Sequence, residues 1–198
     1  VGTFGQDGTN KVDAYYFGWA GEGHFGRWNI THAMYHVIGK ETNNEIASRQ
    51  VDIDARFMAG EVSYDIDWWR PRLFFLYASG DSDPLDSDAN GFDAIVDAPN
   101  FGGGQFSFWN SQALKLVGTG LTQPGSPLAD LQTSKTQGQS NFVNPGVLLI
   151  GGAVDAELTP KWRAQAGFTY LRFDKTNSLE FLLQADDIAK SIGAEVFL

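Results

Sequence analysis

The sequence predicts an all-β fold of antiparallel strands, each with one apolar and one polar face. The clearest strand has Trp162, Ala164, Ala166, Phe168 and Tyr170 on one face, and Arg163, Gln165, Gly167 and Thr169 on the other. Successive side chains of a strand point to opposite faces, so such alternation is typical of a half-buried strand. The aromatic content of 14% and the 23 glycines also favour strands joined by tight turns.

Seven segments carry this strand pattern. They lie near residues 12–20, 25–38, 51–64, 68–79, 146–158, 162–173 and 193–198, and a helical turn is expected around 179–190. The connections alternate between short (21–24, 65–67 and 159–161) and long (39–50, 80–145 and 174–192). If neighbouring strands pair antiparallel, all short connections lie at one end of the sheet and all long ones at the other.

This asymmetry favours an outer-membrane β-barrel, whose periplasmic turns are tight and whose external loops are long. A transmembrane β-strand needs about 9–11 residues with one face towards lipid. A soluble sheet with one wet face gives the same alternation along a single strand. No run approaches about 18 consecutive apolar residues, so a transmembrane helix is excluded. The chain stops at Leu198 within a strand-like segment, and we expect it to be one piece of a longer mature protein.

Composition and motifs argue against several other functions. The net charge of −10 argues against nucleic-acid binding. The absence of cysteine excludes disulfides and thiolate metal sites. We find no Gly-x-Ser-x-Gly nucleophile motif and no phosphate-binding glycine loop, so no enzymatic activity is predicted.

Charged residues inside the predicted strands are the candidate pore lining. A charge on a lipid-facing position costs roughly 2–4 kcal/mol at the membrane midplane, so these side chains should face the lumen. The candidates are Arg27, Arg56, Arg70, Arg72, Arg163, Asp52, Asp54, Asp155 and Glu157. Arginine rings select anions in pores, but the mixture with acids gives a transverse field instead. Interior Arg–Asp pairs that only hold the wall together are the open alternative.

The long connection 80–145 begins with an acidic stretch. Its carboxylates are Asp81, Asp83, Asp86, Asp88 and Asp93. Ca²⁺ takes six to eight oxygen ligands, and Asp, Ser and Asn residues around a glycine turn supply them. The stretch is therefore a candidate Ca²⁺ site, although its spacing is not that of an EF-hand. A solvated loop with Asx-turns is the alternative.

Several motifs resemble the alginate-export family of Gram-negative outer-membrane porins. They are Gly-His-Phe-Gly-Arg-Trp-Asn-Ile-Thr-His-Ala-Met-Tyr (23–35), Ser-Tyr-Asp-Ile-Asp-Trp (63–68), Tyr-Ala-Ser-Gly-Asp-Ser-Asp-Pro (77–84), Gly-Phe-Asp-Ala-Ile (91–95), Pro-Asn-Phe-Gly-Gly-Gly (99–104), Asn-Phe-Val-Asn-Pro-Gly (141–146) and Leu-Thr-Pro-Lys (158–161). The resemblance implies a monomeric barrel of about 18 strands, of which residues 1–198 would supply about seven. It also implies a lumen that carries an anionic polysaccharide outward.

The leading hypothesis is thus a single partial barrel domain of an outer-membrane channel. It would contact membrane lipid and lipopolysaccharide, and pass small solutes or an anionic polysaccharide by diffusion. The second hypothesis is a non-conducting barrel, plugged by the long loop, that docks a secreted or electron-carrying protein. The third is a soluble carbohydrate-binding β-sandwich that uses Trp109 and its neighbours for stacking.

Overall fold

A computed structural model describes residues 11–44, 46–93 and 141–198, and these residues form one sheet. The strands are β1 (Val12–Phe25), β2 (Trp28–Asn44), β3 (Arg49–Tyr64), β4 (Trp69–Ala78), β5 (Asp88–Ala89), β6 (Val147–Thr159), β7 (Trp162–Arg172) and β8 (Ser191–Phe197). Their order in the sheet is β1-β2-β3-β4-β6-β7-β8, with antiparallel neighbours. The short strand β5 pairs in parallel with β3. The predicted all-β, antiparallel fold and its seven strands are confirmed.

The connections define two ends of the sheet. β1–β2, β3–β4 and β6–β7 are joined by short turns at one end, while the connections 79–146 and 173–190 lie at the other end. The predicted asymmetry is therefore present for the long connections 80–145 and 174–192, but not for 39–50, which shortens to residues 45–48 and has the same length as the β3–β4 turn, 65–68. The connection between β2 and β3 is shorter than the expected 39–50, because β2 continues to Asn44 and β3 begins at Arg49.

The first turn also lies elsewhere than predicted. Residues 21–24 belong to β1, and the chain reverses at Gly26 and Arg27, with Gly26 at φ +65°. Glycine adopts this left-handed conformation without the steric penalty that a Cβ imposes. Arg27, a predicted pore-lining residue, is therefore a turn residue and not part of a strand wall.

The apolar core covers one face of the sheet near its long-loop end. It combines strand residues such as Val37, Ala55 and Leu149 with Phe92 and Phe142 from the long connection, all at most 4% exposed. Burying one such large side chain contributes about 1.5–3 kcal/mol. The long connection thus packs onto the sheet at both of its described ends, 79–93 and 141–146.

A second, smaller cluster lies in the β7–β8 connection. Helix α1 (Asn177–Leu183) packs Leu179 against Phe173, and both side chains are buried. The predicted helical turn is present, but it begins two residues earlier than 179 and ends at Leu183. Among the described residues, no helix has the length and apolar content needed to cross a membrane.

Candidate functional site

The two faces of the sheet differ, and each changes character along the strands. We call the face under Phe92 and Phe142 the covered face, and the opposite one the open face. The loop half of the strands, such as 49–56 of β3, lies near the long connections. The turn half, such as 60–64 of β3, lies near the short turns.

The covered face of the turn half is polar. The register brings together residues of β1, β3, β4, β6, β7 and β8, and Asp65 from the β3–β4 turn joins them. Its charged side chains are Glu22, Glu61, Asp65, Arg70, Arg72, Asp155, Glu157, Arg163 and Glu195. Arg70, Arg72, Asp155, Glu157 and Arg163 were predicted as pore lining, and the structure does place these five on one face.

Arg72 is the centre of this polar face. Its Nη1 lies 3.2 Å from Oε1 of Glu61, and its Nε lies 3.0 Å from Oδ2 of Asp155. The Arg72 side chain is only 13% exposed. The Nε contact is an ion pair without hydrogen-bond alignment. One guanidinium therefore links three neighbouring strands, β3, β4 and β6.

Two further ion pairs lie closer to the short turns. Arg163 approaches Glu157 at 3.2 Å, with both side chains well exposed. Arg70 is paired with Asp65, which also accepts a hydrogen bond of 3.1 Å from the Asn29 amide. The Asn29 amide, and next the Arg70 guanidinium, lower the pKa of Asp65 below its usual value. Asp65 is thereby kept as a carboxylate that pairs with Arg70.

The covered face of the loop half is apolar and filled by the long connection. Phe92 packs against Phe57, with ring centroids 5.0 Å apart, and edge-on against Tyr16 at 6.4 Å. The Tyr16 hydroxyl donates a hydrogen bond of 2.8 Å to the carbonyl of Asp93. Phe142 is completely buried. Both described ends of the long connection therefore lie on this face.

Polar contacts fix these two ends in place. The Ser79 hydroxyl donates to the carbonyl of Asn90 at 2.6 Å and accepts from the Arg56 amide at 2.9 Å. The buried Asn144 side chain donates to the carbonyl of Phe92 at 3.1 Å and accepts from the Gly146 amide at 2.8 Å. Gly146 has φ +58°, and a Cβ there would overlap the backbone of 78–80. These side chains satisfy backbone groups that the covered loop would otherwise leave unpaired.

The open face of the turn half is an exposed apolar band, which in β1 extends into the loop half as far as Tyr15. Trp162 is 70% exposed and Trp19 is 66% exposed. The exposed large side chains of the band are Tyr15, Phe17, Trp19, Phe25, Trp28, Ile30, Met34, Met58, Leu73, Phe75, Ile150, Val154, Leu158, Trp162, Phe168 and Val196. The band spans 15–25 in β1 and 162–170 in β7, which is eleven and nine residues.

The open face of the loop half carries charges. Asp54 pairs with His36 at 2.7 Å and with Arg56 at 3.6 Å, and Lys40 pairs with Asp52 at 3.2 Å. Asp52, Asp54 and Arg56 were predicted to share one lining with Arg72 and Asp155. The structure corrects this prediction, because these three side chains lie on the opposite face, whereas Val51, Ile53 and Ala55 form the buried core.

The border between band and charges runs obliquely across the sheet. Counted from the short turns, the first charged residue on the open face is Asp13 in β1 and Arg172 in β7. Arg172 is level with Trp19 of β1, which is six residues from Asp13. The level is followed from strand to strand through the cross-strand partners Arg172, Leu148, Tyr77, Met58, Met34 and Trp19. Six residues are roughly 20 Å and five strand spacings roughly 24 Å, so the border crosses the strands at about 40° from their perpendicular.

The predicted Ca²⁺ ligands do not come together. Among residues 11–44, 46–93 and 141–198, no three acidic or histidine side chains are close enough to hold a metal ion. Asp83 and Asp86 instead accept from backbone amides two residues ahead, as in Asx-turns. Asp81 accepts from Asn90 and Asp93 from Asn141, both at 3.3 Å, while Asp88 belongs to β5. The alternative of an acidic loop with Asx-turns fits this arrangement better.

Sequence reasoning missed Glu22, Glu61, Asp65 and Glu195 on the covered face of the turn half. A signal for Glu61 was present, because alternation through β3 places it on the face of Val51 and Ala55. The buried anchors Ser79 and Asn144 had no comparable signal, since their partners are distant in sequence.

Comparison with known proteins gave no match: no family model, curated protein or solved structure is similar to this chain.

Proposed function

We propose that this sheet is part of the wall of an outer-membrane β-barrel channel in a Gram-negative bacterium, with the turn half in the bilayer. The observation that carries the proposal is the exposed apolar band. Soluble monomeric proteins rarely expose contiguous apolar patches beyond a few hundred Å². A lipid surrounding removes the cost of exposing such a band.

The dimensions and tilt of the band support this environment. Its nine to eleven residues per strand match the length of a transmembrane β-strand. Its angle of about 40° matches the 35–45° tilt of strands in membrane barrels. Behind the band, the polar covered face of the turn half gives a wall that water and solutes contact. Passage along this wall is by diffusion, and no bond is broken.

The loop half extends the wall beyond the lipid in this proposal. Its open face carries exposed ion pairs, which suit water and the head groups of lipid or lipopolysaccharide. The resemblance to the alginate-export family remains a prediction, as do the monomeric state and the larger strand number.

Single-cysteine variants test the proposal, because the chain contains no cysteine. In the membrane-inserted protein, a water-soluble maleimide should label Gln165→Cys and Asp54→Cys, and should leave Ala166→Cys unlabelled. Ala166 is exposed in the fold, so only lipid protects it. Ala55→Cys is the control for burial under the long connection. Equal labelling of the two β7 variants would contradict membrane insertion.

One observation favours a second candidate function, a plugged barrel that docks a partner protein. Phe92 and Phe142 lie on the covered face, so the long connection occupies space inside the proposed barrel. Conductance of the intact protein in planar bilayers separates the two functions. A channel conducts, whereas a plugged sleeve gives no ion current.

A further inference from the structure

We infer that the polar wall favours cations over anions. The inference rests on the proposed channel function and names its substrate class as cationic or neutral solutes instead of an anionic polysaccharide. The wall consists of the charged residues on the covered face of the turn half.

Every arginine on this wall is already matched by a carboxylate. Arg72 lies between Glu61 and Asp155 at 3.2 and 3.0 Å. Arg163 pairs with Glu157, and Arg70 pairs with Asp65. Each paired carboxylate offsets the charge of its guanidinium, so these arginines attract a passing anion less than unpaired arginines would. The arginines of this wall therefore do not form an anion-attracting ring.

Carboxylates also outnumber the arginines. The register also places Glu22 of β1 and Glu195 of β8 on the same wall. Glu195 accepts a hydrogen bond of 3.3 Å from the Thr169 hydroxyl, so its carboxylate is held at the wall. Within the part of the chain that the structure describes, the wall thus carries six carboxylates and three arginines. A negative surface of this kind raises the local concentration of cations and lowers that of anions.

The open face shows why position matters more than composition. Lys40 of β2 and Arg56 of β3 are also strand cations, but they pair with Asp52 and Asp54 on the opposite face. Counting every strand cation as lining would therefore overstate the positive charge of the wall. Asp54 provides a matched control, because it has the same chemistry as the wall acids but lies outside the proposed pore.

Reversal potentials of the intact protein in planar bilayers under a KCl gradient test the inference. We expect a potassium-to-chloride permeability ratio of about 3 or more near 0.1 M salt, falling towards 1 at 1 M as the screening length shrinks. Glu22→Gln and Glu157→Gln should each lower the ratio by about 1.5-fold or more, the second because it leaves Arg163 without its partner. Asp54→Asn should leave the ratio unchanged.

The outcomes separate this inference from the proposed function. A conducting protein with a ratio at or below 1 near 0.1 M salt overturns the cation preference and leaves the channel standing. A ratio that responds to Asp54→Asn as strongly as to Glu22→Gln also overturns it. No conductance at all overturns both, because a wall without a pore selects nothing.

Discussion

The turn half and the loop half of the same strands distribute polar and apolar side chains in opposite ways. In the turn half the covered face carries Arg72 and its carboxylates, while the open face carries the apolar band. In the loop half the covered face is the hydrophobic core, while the open face carries ion pairs such as Lys40–Asp52. Periodicity alone therefore locates the two faces of a strand but does not say which one contacts water.

The change occurs within individual strands without any break in hydrogen bonding. In β3, Phe57, Met58 and Ala59 are apolar on both faces, and they separate the core residue Ala55 from the polar Glu61. A short two-sided apolar stretch of this kind lets one continuous strand serve two environments.

Removing Arg72 should have the largest effect, because Glu61 and Asp155 would remain together without a cation. We expect Arg72→Ala to destabilise the folded sheet by about 3–5 kcal/mol, as when one partner of a buried ion pair is deleted. Thermal loss of β-sheet circular dichroism in detergent measures this effect. The exposed pair provides the control: Arg163→Ala should cost at most about 1 kcal/mol. Similar losses in the two variants would show that Arg72 is not a special link.

A charge placed in the apolar band should have the next largest effect. Phe168→Arg should make insertion into lipid vesicles less favourable by about 2–4 kcal/mol, because the guanidinium would face hydrocarbon. Folding titrations in vesicles measure it. The matched change on the covered face of the same strand, Gln165→Arg, should be tolerated. If both variants insert equally well, the open face of the turn half is not in lipid.

Asp81 should make the docking of the long connection pH-dependent. Its side chain is 1% exposed, and burial raises the pKa of its carboxyl from 3.8 to about 6. Because the folded pKa lies above the unfolded one, docking is strongest below pH 4 and weakens as the pH rises through 6, by about 2 kcal/mol at most.

Hydrogen exchange of segment 79–93, corrected for intrinsic rates, measures this dependence. Asp81→Asn should remove it and protect the segment at pH 7. Asp88→Asn is the control, since Asp88 is an exposed residue of the short strand β5. Unchanged protection from pH 4 to 7 in the unmodified chain would contradict the prediction.

Changing the open face of the loop half should have the smallest effect. Asp54→Ala removes the contacts to His36 and Arg56, whose side chains are about half to two-thirds exposed. Exposed ion pairs contribute about 0–1 kcal/mol, so stability should change within that range. A loss of several kcal/mol, in the same thermal assay, would place this cluster in an interface instead of water.

The strands were predictable from the sequence because alternation and turn chemistry are local. The contacts of the strands with the loops were less predictable, because they join residues that are distant in sequence. The first turn was misplaced because Gly21 and Gly23 suggested a reversal, whereas in the fold the rings of His32 and Phe25 cover these glycines inside β1. Asp52, Asp54 and Arg56 were expected on the same face as Arg72 and Asp155 but lie on the opposite one, because the residues that cover the other face, Phe92 and Phe142, are distant in sequence. The carboxylates of 81–93 resembled a metal site because Asx-turns use the same residue types.

The short strand β5 has a consequence for the aggregation of the folded chain. β4 leaves β3 at Ala78, so the loop half of β3 would present a free edge to other chains. Instead the Asp52 amide donates to the carbonyl of Ser87, the carbonyl of Asp54 accepts from Asn90, and Ser79 occupies both backbone groups of Arg56. An edge saturated in this way offers no template for strand addition, so it resists the edge-to-edge aggregation to which open sheets are prone.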